Sequence, residues 1–141
     1  MKRIASLLLL LTMIAVAVLA LASCSAYGGI EKRFLDADYQ IVNIDDNATA
    51  KTLKAEFEEM DVSCTIHLFK KTTAAFGVGG YVLILEFASA GDIDKIFGED
   101  GSETIKGIIK DAQKSDYVND NCVLVPLTLA YAEEALELFK K

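Results

Sequence analysis

The sequence predicts a single α+β domain: a four-stranded, mostly antiparallel sheet in the ferredoxin-like β-α-β-β-α-β order, with an extra helix at each end. Short runs rich in branched apolar residues alternate with segments of helical apolar spacing. The third of these runs, Tyr81-Val82-Leu83-Ile84-Leu85-Glu86-Phe87, is apolar at nearly every position. A chain of 141 residues with 52% apolar residues and one proline, Pro126, has the material for a core.

Spacing and punctuation give the elements in order. Residues 30–36 read as a short helix leading to a strand over residues 39–44. Asp45-Asp46-Asn47 breaks that strand and offers cap oxygens to a helix over residues 48–60. Ala50, Leu53, Phe57 and Met60 fall on one stripe of it, while Lys51, Lys54, Glu58 and Glu59 face elsewhere. Strands over residues 62–70 and 81–88 follow, joined by a loop ending in Gly77-Val78-Gly79-Gly80 that is too long for a tight turn. The second of these strands asks for cover on both faces and belongs at the centre of the sheet.

Residues 89–120 are too long for bare loop and hold two helical patterns. Ser89 with Asp92 has capping-box spacing before Ile93, Ile96 and Phe97, with Gly98 as the stop. Ser102 caps a second helix carrying Ile105, Ile108, Ile109 and Ala112. A last strand over residues 122–126 hands over to a helix over residues 129–139 with the stripe Leu129, Ala132, Leu136 and Phe139. A bare sheet of this order leaves one face open, so a terminal helix or a second molecule must cover it.

The start of the chain carries an address. Lys2 and Arg3 precede an apolar run over residues 4–22 broken only by Ser6 and Thr12. A run of about 19 residues could just span a bilayer, so length does not separate a cleaved signal from a membrane helix. Leu21-Ala22-Ser23-Cys24 resembles the lipobox of bacterial lipoprotein signal peptides at all four positions. The resemblance implies cleavage between Ser23 and Cys24, diacylglycerol on the Cys24 sulfur, and a fatty acyl chain such as palmitate on the new amino terminus. Each buried methylene contributes roughly 0.8 kcal/mol, and two or more chains hold a protein stably.

Ser25 looks like the outer-membrane form of the signal, and in a one-membrane cell the protein would stay on the outer face of the cytoplasmic membrane. The expected organisation is a signal peptide over residues 1–23, a tether over residues 24–29 and an α+β domain over residues 30–141. Five extended tether residues reach at most roughly 18 Å, which keeps the domain close to the lipid. The other reading is a plain secretory signal or membrane helix in which Cys24 is incidental.

With Lys2 and Arg3 removed, the 14 basic residues fall to 12 against 21 acidic ones, and the formal charge moves from −7 to −9. That balance, with isolated pairs such as Lys70-Lys71, argues against nucleic acid as a partner. The acidic stretches read as solvated helix faces and first-turn charges. They would also push the domain body away from anionic lipid.

Other motifs yield no catalytic, cofactor-binding or metal set. Cys64 and Cys122 invite a disulfide in an exported protein, but the ferredoxin-like order puts their strands on opposite edges, which favours two buried thiols. Cys64-Thr65-Ile66-His67 has C-x-x-H spacing, yet strand alternation points the two residues to opposite faces. His67, the only histidine, lacks a nucleophile elbow around any serine. The glycine run opens a strand rather than a helix and so makes a poor phosphate cradle. Asp45, Asn47, Thr49 and Glu56 mimic a calcium loop, but Ala50 stands where glycine is needed and capping is the better account.

The expected function is therefore that of a lipid-anchored cell-envelope lipoprotein. Membrane lipid is the expected partner through acylated Cys24, and another envelope protein, a small ligand or a second copy is the expected partner through the domain, which binds or assembles rather than catalyses. The alternatives are a small extracytoplasmic hydrolase using His67 and a homodimer joined through sheet faces.

Overall fold

The computed structural model describes residues 26–72 and 79–141. In chain order the elements are α1 (Ala26–Asp36), β1 (Tyr39–Val42), α2 (Ala48–Glu59), β2 (Cys64–Lys71), β3 (Tyr81–Phe87), α3 (Ala90–Phe97), α4 (Glu103–Ile108), β4 (Val118–Asn119), β5 (Cys122–Pro126) and α5 (Ala132–Lys140). Short 3-10 turns sit at Ile44–Asp46, Asp111–Tyr117 and Leu129–Tyr131. The α+β class holds, but the sheet has five strands, all antiparallel, in the order β1-β2-β3-β5-β4.

That order corrects the ferredoxin-like expectation. The expected topology reads the helix between the first two strands as a crossover to a parallel strand one place away, with another strand between the two. Instead β1 pairs antiparallel with β2, Val42 lying opposite Leu68 and Tyr39 opposite Lys71. The chain leaves β1 and re-enters β2 at the same end of the sheet, so α2 is a return rather than a crossover. The fifth strand is two residues long in a polar stretch, too short for a periodicity signal. It pairs with β5 across Asp120-Asn121, where Asp120 takes φ 54, the left-handed conformation a two-residue hairpin needs.

β3 is central, and its Val82, Leu83, Ile84 and Leu85 are fully buried. One face carries Leu68, Leu83, Leu85, Phe87, Val123 and Val125 against α2, α3 and α4. Asn47 caps α2 through Ala50 N–H at 3.0 Å, and Ala50, Leu53 and Phe57 form the buried stripe the spacing predicts. Ser102 caps α4 through Ile105 N–H at 3.1 Å. Its turn needs glycine at 101, where a Cβ would lie 2.3 Å from the Ile96 carbonyl oxygen. Helix α4 stops at Ile108, shorter than its apolar pattern suggests.

The other face is covered by the terminal helices. Ile30 and Phe34 of α1 and Ala135 and Phe139 of α5 bury completely against Phe69, Val82, Ile84, Cys122 and Leu124. Each large side chain so buried contributes about 1.5–3 kcal/mol, so these helices are integral to the fold. Helix α1 starts at Ala26, and residues 26–29, assigned above to an extended tether, are helical. Helix α5 starts three residues later than expected, which leaves Leu129 91% exposed and moves the stripe to Ala135 and Phe139.

Candidate functional site

His67 lies on β2 opposite Ile84, on the face covered by α1. Glu86 enters the same face from β3. His67 Nε2 and Glu86 Oε2 are 3.0 Å apart, both side chains mostly buried. The Tyr27 ring, from the first turn of α1, stacks on the imidazole with 3.7 Å between centroids and 16° between planes. Burial first, then the hydrogen bond to Glu31 and the charges of Glu31 and Glu86, push the Tyr27 phenol far above its ordinary range.

Cys122 pairs with Glu86 from the other side, and burial, then the charges of Glu86 and Asp120, hold its thiol up at about 12. Cys64, opposite Phe87, is raised to about 12 by burial first and then by the charges of Cys122 and Glu86. Both cysteines are free. The two thiols expected from the sequence are present for a different reason. One strand, not the whole sheet, separates them, and they face opposite cores.

A cavity of about 180 Å³ opens beside this cluster, lined by Ser63, Cys64, Thr65, Glu86, Phe87 and Ala88. Chemically the arrangement is a base with an orienting carboxylate. The thiol and phenol nearest to it are protonated, which makes them poor nucleophiles at neutral pH. Its mechanical role is plain: the histidine, fixed by Glu86, is the platform on which the first turn of α1 rests.

Strand alternation sends Cys64 and His67 to opposite faces, as the sequence indicates. Among the described residues no group of three or more His, Cys, Asp or Glu is placed to hold a metal ion. Asp45 and Asn47 belong to caps, the Asn43 side chain accepting from Asp45 N–H and that of Asn47 from Ala50 N–H. Glu56 reaches Ser102 and, at 2.6 Å, Thr104, tying α2 to α4. Ser23, Cys24 and residues 73–78 of the glycine-ended loop lie outside the described residues. Among the described residues no helix is long and apolar enough to cross a membrane.

Sequence reasoning missed Glu86 and Tyr27 as partners of His67. A lone carboxylate in an apolar strand beside a strand with a lone histidine was the available signal, whereas Tyr27 was hidden in the assigned tether. No family model matches the chain, and neither the curated proteins nor the solved structures yield a match.

Proposed function

We propose that this is a lipid-anchored cell-envelope protein whose domain binds another protein or a small ligand, or assembles with itself, and is not an enzyme. The observation that carries the reading is Leu21-Ala22-Ser23-Cys24 directly after an apolar run with a basic start. The anchor places the domain on the extracytoplasmic side, on the outer membrane or on the outer face of the cytoplasmic membrane.

The test is the intact mass of the chain purified from its native membrane, beside a Cys24→Ala variant. The expected result is a chain starting at Cys24 with added acyl mass that the variant lacks. An unmodified chain retaining residues 1–23 overturns the anchor.

The contact between His67 and Glu86 favours one second reading, a small hydrolase with His67 as base and Glu86 as its orienting carboxylate. Loss of phenotype on replacing His67 in a chain that still folds would favour that enzyme. The sheet-face homodimer loses its premise, because α1 and α5 occupy the face it would use.

A further inference from the structure

We propose that the free edge of β1 is the domain's binding surface and that it takes an extended, basic segment of a partner protein as an added strand. β1 ends the sheet, and among the described residues nothing pairs with its outer side. Thr72 N–H donates to the Asp38 carbonyl at 2.8 Å. In the antiparallel ladder that bond makes Gln40 and Val42 the positions bonded to β2. The N–H and C=O groups of Tyr39 and Ile41 therefore point outward, the pattern that strand addition uses.

Beyond its four-residue length, the edge carries none of the usual protections. β1 is Tyr39-Gln40-Ile41-Val42, without lysine, proline or bulge. Ile41 is 49% exposed on the α1 side of the sheet, opposite Phe69. Leu35, 44% exposed, stands about 200° around α1 from Arg33, the residue that reaches α5, and so lies on the flank of α1 turned away from α5. These are two of the three exposed large apolar side chains among the described residues, and they give an added strand an apolar footing.

Charge selects the occupant. Between Arg33 and Lys51 the chain has no basic residue, while Asp36 and Asp38 precede β1 and Asp45 and Asp46 follow it. Asp36 is paired with Lys32 at 2.6 Å, and Asp38, Asp45 and Asp46 are exposed. A second copy pairing antiparallel through β1 would bring the aspartates at one end of its strand against those at the other end of this one. A partner with lysine or arginine on either side of a short apolar stretch meets complementary charge at both ends.

The inference rests on the reading of the domain as a binding module and is independent of the anchor. The test uses the full chain in neutral detergent micelles and two synthetic peptides of alternating threonine and valine. One peptide carries two lysines at each end, the other two glutamates. At low salt the lysine-ended peptide should bind at least about tenfold more tightly. It should also slow amide exchange at Tyr39 and Ile41 at least about tenfold.

Ile41→Pro removes an outward N–H and the exposed Ile41 side chain but no bond to β2, so it should keep the fold and abolish binding. If that variant does not fold, Ile41→Lys should weaken binding while leaving the ladder to β2 in place. Equal binding of the two peptides, unchanged binding by the variant, or slow exchange at Tyr39 and Ile41 without peptide would overturn the edge as the site. A partner drawn from solubilised envelopes equally by the parent and Ile41→Pro chains overturns the edge but leaves the module standing. Recovery of no partner by the parent chain, together with a monomeric mass, removes the module reading itself.

Discussion

Beneath α2, α3 and α4 the sheet meets an apolar layer, Leu68, Leu83, Leu85 and Val123 against Leu53, Phe57, Ile96 and Ile105, with polar joins such as Glu56 to Thr104 off to one side. Beneath α1 and α5 the buried centre is as apolar, but it is ringed by directional contacts. Arg33 donates to the Leu138 and Phe139 carbonyls at 2.6 and 3.3 Å, which satisfies the orphan groups at the end of α5. Lys71 bonds Glu134 at 2.5 Å and lies over the Tyr39 ring, and His67 with Glu86 supports Tyr27. Helices α2, α3 and α4 are placed by connections at both ends. The terminal helices have a single described connection each, and polar contacts supply the angle and register that non-directional apolar burial does not.

The sharpest way to break this contrast is to empty one site on each face. Phe34→Ala and Phe57→Ala should each cost about 3–5 kcal/mol in urea unfolding, with circular dichroism and tyrosine fluorescence giving coincident transitions for both. Loss of α1 alone in Phe34→Ala, seen as fast amide exchange confined to that helix, would mean that the faces are separate cooperative units. A smaller effect tests the directional contacts: Arg33→Ala should cost about 1–3 kcal/mol and loosen the last turn of α5 without touching α2. A change in α2 of equal size would show that Arg33 acts through general stability.

The smallest effect is in alkali. Cys122 and Cys64 stay protonated in the folded chain up to about 12, whereas in the unfolded chain they ionise from about 9. The unfolded chain therefore sheds protons first. The stability tied to each thiol is complete below pH 9 and is lost as pH rises from there toward 12. Urea midpoints measured at about pH 8 and about pH 10 should fall less in Cys122→Ala than in the parent chain, and an equal fall would assign the loss to other groups.

How far the sequence carries depends on where the information sits. The helix stripe Ala50, Leu53 and Phe57, the central place of β3 and the caps at Asn47 and Ser102 are local patterns, and each is found in the structure. Strand order is not local. A helix between two strands fits a return as well as a crossover, and the choice is made by how Val42 and Cys64 come to lie at one end of the sheet. The first turn of α1 contains Gly28 and Gly29, poor helix formers, and tertiary contacts through Tyr27 and His67 override that propensity. The His67 cluster joins residues from three elements 19 to 59 positions apart, and its lone charged members were its only trace in the sequence.

The reach of Arg33 across 106 positions to Phe139 sets a schedule for the newborn chain. The layer under α2, α3 and α4 draws on residues no later than Leu127, whereas the opposite layer has only α1 of its two covering helices until synthesis has passed Phe139. Until that moment the part of that face that α5 covers stays open, and contacts of such long sequence separation form slowly. An emerging chain therefore cannot close its second layer until α5 has been made.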